Sequence, residues 1–126
     1  MSAICIITAL PAESRVFIDA FNLKPILDHG WRLYGEEKYL LLQTGIGKLK
    51  AAAAVSALLH SRKDITTLIN AGIAGGHLPV GKAVIANRVT DSGTGASWYP
   101  HMPPLRVLSD VENLPLETLD QPSSDY

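Results

Sequence analysis

The sequence has little of what disulfide-rich, metal-cluster, nucleic-acid-binding and membrane proteins require. Its single cysteine, Cys5, excludes an internal disulfide framework and a cysteine-based metal cluster. Its eleven lysines and arginines form no cluster, whereas nucleic-acid binding needs a basic stripe. The longest uncharged stretch, residues 65–81, contains four glycines and a proline, so it does not predict a membrane span. We therefore expect no metal, no nucleic acid and no membrane partner.

Charge is distributed unevenly along the 126 residues. Residues 1–106 contain all eleven basic and seven acidic side chains, a net charge of +4, whereas residues 107–126 carry −5. Because this length allows one domain, we predict a domain over residues 1–106 and an acidic tail or linker over residues 107–126. The apolar first residues have no basic segment before them, since the first cation is Arg15, and we expect a cytoplasmic protein.

The order of the hydrophobic patterns predicts an α/β fold. A short helix begins near Glu13, and a second, strongly apolar helix is predicted from Lys48 to His60. Because the second helix is apolar around most of its circumference, we expect it to be buried on more than one side. Two helices are too few to cover both faces of the sheet, so either a partner covers the rest or part of the fold is absent. The predicted strands are residues 3–8, 31–34, 38–43, 65–70, 82–89 and 105–108.

Three predicted loops directly follow strands, at residues 9–13, 44–48 and 71–76. Since ligands of open α/β sheets bind at the carboxyl ends of the strands, we expect the loops to form one joint site. Residues 44–48 match neither a P-loop, because Leu49 replaces Ser or Thr, nor a Rossmann fingerprint, because Lys50 replaces glycine. Their glycines either let backbone amides approach a phosphate or form a tight strand-to-helix turn.

The third loop and Glu13 each allow two interpretations. The glycines within residues 72–76 either adopt positive φ angles or let a ligand lie against the backbone. Glu13 is either a first-turn partner of the helix dipole or a general base. Its predicted place at the same sheet edge as both glycine loops favours the general base.

Three segments carry a resemblance to a known family. They are Ile6-Ile7-Thr8-Ala9-Leu10 with Glu13, Thr44-Gly45-Ile46-Gly47-Lys48, and Ile69-Asn70-Ala71-Gly72-Ile73-Ala74-Gly75-Gly76. In sequence, order and spacing they resemble the nucleoside phosphorylase/nucleosidase superfamily, and within it the methylthioadenosine/S-adenosylhomocysteine nucleosidase branch. The resemblance implies a three-layer α/β sandwich with a mixed, mostly parallel sheet, incomplete in this chain.

The resemblance also implies a function and a set of site residues. The family cleaves the N-glycosidic bond of purine nucleosides, usually as a homo-oligomer, without a cofactor, and with phosphate as co-substrate in the phosphorylases. By position, Glu13 resembles the group that orients and deprotonates the attacking water. Ile73 stands where many nucleosidases have serine, which removes a hydroxyl contact. The substrate-binding residues implied are Thr8, Ala9, Gly45, Ile46 and Gly47, on the ribose or phosphate side for the last three, and Ala71, Gly72, Ile73, Ala74 and Gly75, under the sugar and base.

The family's general acid has no clear counterpart in the sequence. Family members carry a Met-Glu segment that grips the ribose and a later Ser-Asp pair whose aspartate is the general acid. Ser109 and Asp110 have the right local sequence, but no Met-Glu segment precedes them, so we interpret this match as accidental. We expect the sequence to stop before both elements. Two hypotheses follow: a nucleosidase whose water is activated by Glu13, or a non-catalytic, shortened member that binds a nucleoside or a partner chain.

Overall fold

The computed structural model describes residues 2–28, 30–101 and 112–118. The chain divides into two units, Met1–Ala74 and Gly75–Tyr126. The elements of the first unit are, in order, β1 (Ala3–Thr8), α1 (Pro11–Phe21), β2 (Lys24–Asp28), β3 (Trp31–Gly35), β4 (Tyr39–Gln43), α2 (Lys48–Ser61) and β5 (Ile65–Asn70). Those of the second unit are β6 (Val84–Asp91), β7 (Ser97–Trp98) and β8 (Glu112–Thr118).

The first unit is built on a five-stranded mixed sheet with the strand order β2-β3-β4-β1-β5. Strand β1 is an inner strand that pairs in parallel with both β4 and β5, while β2, β3 and β4 form an antiparallel meander. The sequence of β1 is apolar at nearly every position, the composition expected of a strand covered on both faces. This arrangement confirms the predicted α/β class and the mixed sheet.

Side chains of the inner strands alternate between two faces and form two hydrophobic cores. Helix α2 contributes Ala54 and Leu58 to one core, and helix α1 contributes Phe17 and Ile18 to the other. The sheet therefore lies between two helices in the three-layer arrangement that the resemblance implies. The buried strand residues are Ala3, Cys5, Leu33, Leu40 and Leu42 on the α2 face and Ile6 and Leu41 on the α1 face.

Helix α2 is less buried than its sequence predicts, and the prediction of burial on more than one side is wrong. Only Ala54 and Leu58 are buried, and they lie four residues apart on one stripe. Leu49 at the beginning of the helix is 87% exposed. The alanine run explains the difference, because alanine favours a helix through its backbone propensity and requires no burial to do so.

Three strands lie where the sequence predicts none, β2, β7 and β8, and two of them contain a proline. Pro25 lies in β2 and Pro115 lies in β8, which are edge strands of the two sheets. An edge strand tolerates proline because the missing N–H can face away from the ladder. Strand β8 falls within the predicted acidic tail, so that segment includes a strand. The division at residue 106 stays a prediction, and residues 105–108 lie outside the described residues.

The second unit contains a three-stranded sheet with the strand order β7-β6-β8. Strand β6 pairs antiparallel with β7 and parallel with β8. It begins at Val84 rather than at Lys82, since the Lys82 amide instead donates to the Pro79 carbonyl in the preceding turn.

Substitution of Gly35 tests how tightly the meander is packed. A Cβ atom at this position would lie 2.6 Å from Leu40 Cδ2 and 2.7 Å from Ile26 Cδ1. We expect Gly35→Ala to lower the free energy of unfolding by about 1–3 kcal/mol, the usual effect of overpacking a core. Chemical denaturation followed by circular dichroism measures the change. Gly76→Ala is the control, because a Cβ at Gly76 meets no atom within 4 Å, and equal stability of both variants would contradict the expectation.

Substitution of Asp64 tests whether its ion pair with Arg62, in the turn between α2 and β5, stabilises the fold. Its carboxylate accepts hydrogen bonds of 3.0 and 2.9 Å from Arg62 Nε and Nη2, and this pairing lowers the pKa of Asp64 from 3.8 to about 2. A lowered pKa contributes stability that is complete above pH 4 and is lost as the pH falls toward 2. Thermal unfolding of wild type and Asp64→Asn should therefore differ at pH 6 and converge near pH 2. A difference that does not depend on pH would contradict this prediction, and Glu37→Gln is the exposed-carboxylate control.

Candidate functional site

The side chain of Glu13 joins two loops of the first unit. Its Oε1 atom accepts hydrogen bonds from the backbone amides of Ala9, at 3.1 Å, and Leu10, at 2.9 Å. Its Oε2 atom accepts a third, at 2.8 Å, from the amide of Ile73, which is 60 residues away in sequence. Hydrogen bonds to an ionised acceptor are stronger than those between neutral groups. The carboxylate therefore fixes the β1–α1 loop and the loop after β5 to each other.

The strand order explains why these loops meet. Strands β4, β1 and β5 are parallel, so their carboxyl ends lie at one edge of the sheet. Backbone hydrogen bonds continue past the strand ends, from Ala71 N to Ile7 O at 2.9 Å and from Gly45 N to Ala9 O at 3.0 Å. The three loops predicted from the sequence are thus tied to one another, with Glu13 among them.

Gly72 is a glycine because the Glu13 carboxylate lies against it. A Cβ atom at Gly72 would lie 2.6 Å from Glu13 Oε2, so any side chain there would displace the carboxylate. The positive-φ interpretation of this loop is wrong for Gly72, Gly75 and Gly76, since none of them has a positive φ. The group that lies against Gly72 is a side chain of the same chain, and approach of a ligand to this backbone stays a prediction.

The glycines between β4 and α2 have a different role. Gly45 and Gly47 have φ angles of +86° and +109°, which residues with a side chain rarely adopt. Gly47 is the residue before the first turn of α2, and its carbonyl accepts the Ala51 amide at 3.1 Å. The tight-turn interpretation is therefore correct. Ile46, between the two glycines, is 69% exposed.

A buried polar group beneath Glu13 is a feature that the sequence analysis missed. Ser14 Oγ lies 2.7 Å from Thr8 Oγ1 and donates to Gln43 Oε1 at 2.8 Å. Thr8 and Ser14 are each only 1% exposed, so Thr8 lies under the loops and not at their surface. In the sequence, only the polar residues at the ends of β1 and β4 indicated this buried group. A serine next to a candidate base does not by itself predict a buried hydrogen bond.

The other predicted site residues of the loop after β5 are exposed. Ile73 is 84% exposed and Ala74 is exposed, and Gly75 belongs to the second unit. Asp110 lies outside the described residues. Over the described part of the chain, no group of three or more His, Cys, Asp or Glu side chains could hold a metal ion, and no helix is long and apolar enough to cross a membrane.

The fold and the site together define a class of protein: α/β sandwiches that hold a carboxylate between loops at the carboxyl ends of parallel strands. The sequence matches the family profile of the phosphorylase superfamily over residues 3–119. The chain therefore belongs to the phosphorylase superfamily. No curated protein matches the sequence itself.

Solved structures of 5′-methylthioadenosine/S-adenosylhomocysteine nucleosidases share this fold. The nucleosidase of Neisseria meningitidis, solved with methylthio-immucillin-A, is 21% identical with a TM-score of 0.74, and the match covers 96% of this chain and 66% of that one. The nucleosidase of Campylobacter jejuni is 15% identical with a TM-score of 0.78, and the match covers 99% and 68%. This chain therefore spans about two thirds of the length of these nucleosidases.

Gly72→Ala tests whether the Glu13 carboxylate depends on the missing side chain. The new methyl group would push Oε2 away and lengthen its bond to the Ile73 amide. Loss of this bond should speed hydrogen exchange of the Ile73 amide about fivefold, since one hydrogen bond is worth about 1 kcal/mol. Nuclear magnetic resonance measures the exchange, with Gly76→Ala as the control in the same loop. Unchanged protection in Gly72→Ala would show that the carboxylate does not need this space.

Proposed function

We propose that this chain carries the water-activating part of a nucleosidase, with Glu13 as the general base that cleaves the N-glycosidic bond of a purine nucleoside. The observation that carries the proposal is the position of the Glu13 carboxylate, between two loops at the carboxyl edge of β1 and β5. Membership of the phosphorylase superfamily supports a nucleoside as substrate. One neighbouring solved structure, a mutant nucleosidase of Helicobacter pylori, is named with 5′-methylthioadenosine in its active site, which supports the purine class.

The proposed chemistry follows from a carboxylate in this position. Cleavage of an N-glycosidic bond passes through an oxocarbenium-like state, by analogy with O-glycosides, and a base removes a proton from the attacking water. The backbone amides of Ala9, Leu10 and Ile73 orient the Glu13 carboxylate before a ligand arrives. A carboxylate needs no partner side chain to accept this proton. The departing base takes up a proton from a second group as its bond to the sugar breaks.

A second candidate function is that of a non-catalytic module that binds a nucleoside or a partner chain. One observation favours it: both oxygens of Glu13 already accept hydrogen bonds from the chain itself. A carboxylate with these hydrogen bonds can hold two loops together without taking part in a reaction. Assembly into a homo-oligomer and a cytoplasmic location stay predictions from the resemblance and the composition.

Hydrolysis assays on wild type and Glu13→Gln separate the two functions. With methylthioadenosine, adenosine or inosine, we expect wild type to release free base and Glu13→Gln to be slower by about 10²–10⁴-fold, the usual contribution of a general base. Asp19→Asn, which removes an exposed carboxylate from the same helix, is the matched control. Adding phosphate distinguishes phosphorolysis, which depends on it, from hydrolysis, which does not.

Three outcomes decide between the candidates. Equal rates for wild type and Glu13→Gln would exclude Glu13 as the base. Calorimetric binding of a nucleoside without turnover by wild type would support the binding module. Absence of both binding and turnover would contradict both proposals.

A further inference from the structure

The buried group of Thr8, Ser14 and Gln43 lies where three elements meet. Thr8 and Gln43 are neighbours in the parallel ladder of β1 and β4, and Ser14 in the first turn of α1 lies over both. Ser14 Oγ is 2.7 Å from Thr8 Oγ1, 2.8 Å from Gln43 Oε1 and 3.1 Å from the Leu10 carbonyl oxygen. A single side chain thus connects the ends of β1 and β4 to the loop that holds Glu13.

The number of available protons determines the direction of the hydrogen bonds in this group. A serine hydroxyl has one proton to donate and can accept others. Gln43 Oε1 and the Leu10 carbonyl only accept, so they share the single Ser14 proton, and Gln43 Oε1 is the nearer acceptor. The Thr8 hydroxyl then donates to Ser14 Oγ. Every member has a partner, and such complete networks hold side chains in one geometry more firmly than apolar contacts, which have no preferred direction.

The peptide unit of Leu10 connects this network to Glu13. The Leu10 carbonyl accepts the Ser14 hydroxyl and the amides of Glu13 and Ser14, at 3.1 and 3.0 Å. The Leu10 amide donates to Glu13 Oε1. Any rotation of the first turn of α1 against the sheet would therefore move the Ser14 hydroxyl and the Glu13 carboxylate together. An alanine at position 14 would remove the side-chain hydrogen bonds that connect this turn to the ends of β1 and β4.

We infer that Ser14 and Gln43 are positioning residues that fix the Glu13 carboxylate by anchoring the first turn of α1 to the end of β4. The effect on catalysis rests on the proposed function of Glu13, whereas the effect on geometry does not. Thr8 and Gln43 each reach the Leu10 peptide only through Ser14. Removal of the Ser14 hydroxyl should therefore have the largest effect.

Hydrogen exchange tests the geometric part without any assay of activity. In the full chain, Ser14→Ala and Gln43→Met should each speed exchange of the Leu10 and Ile73 amides about tenfold. Amides within the sheet, such as those of Cys5 and Leu42, should stay within about twofold. Thr66→Val is the control variant, because it removes a hydroxyl from an exposed position of β5. Gln43→Met keeps the length of a half-buried side chain, so it serves if Ser14→Ala does not fold.

Two results would overturn the inference. Unchanged exchange at Leu10 and Ile73 would show that the network does not hold Glu13. A uniform increase at all amides would show that Ser14 and Gln43 only stabilise the fold. The expected pattern is confined to the amides that donate to Glu13.

Turnover provides the second test. If the chain hydrolyses nucleosides, Ser14→Ala and Gln43→Met should lower kcat about 10- to 100-fold with little change in KM, because small misplacement of a reacting group has effects of this size. In a Glu13→Gln background the same substitutions should have no further effect on kcat. An equal fall in both backgrounds would overturn the inference. If wild type shows no turnover, the proposed function fails, and the exchange experiment still decides whether the network positions Glu13.

Discussion

The first unit depends on one carboxylate that connects distant parts of the chain. Glu13 caps the first turn of its own helix through the Leu10 amide and holds the loop after β5 through the Ile73 amide. Helix capping is a local interaction, whereas the second contact spans 60 residues. Because the same group makes both, the beginning of α1 and the end of β5 cannot move independently. The candidate site thus consists of backbone loops fixed by a side chain, and Glu13 has a structural task whatever its chemistry.

Most of the first unit could be predicted from the sequence, because its inner strands are long apolar runs. The boundaries of β1 and β5 agree with the prediction, and the three loops follow from the strand ends. Strands β2 and β8 could not be predicted, since proline argues against a strand unless its edge position is known. The burial of α2 was overestimated because alanine contributes to hydropathy and to helix propensity alike.

The meeting of the three loops at one edge of the sheet could be predicted, but the interactions that hold them together could not. Glu13 and the glycine loops stand out because they follow strands, and parallel strands bring their carboxyl ends together. The reason for Gly72 could not be found in the sequence, because the group that requires its small size is far away in sequence and lies close only in the folded chain. Ser14 and Gln43 were missed for the same reason, since each becomes notable only through the other.

The inner position of β1 has a consequence for how the chain folds during synthesis. Strand β1 leaves the ribosome before both strands that pair with it, and β5 follows only after α2. Until then the nascent chain exposes an apolar strand with two open edges, which is the kind of segment that chaperones bind and that aggregates when left uncovered. Pairing between distant segments also slows folding. The Glu13–Ile73 contact closes only after β5 has docked, so the candidate site is among the last parts of this unit to form.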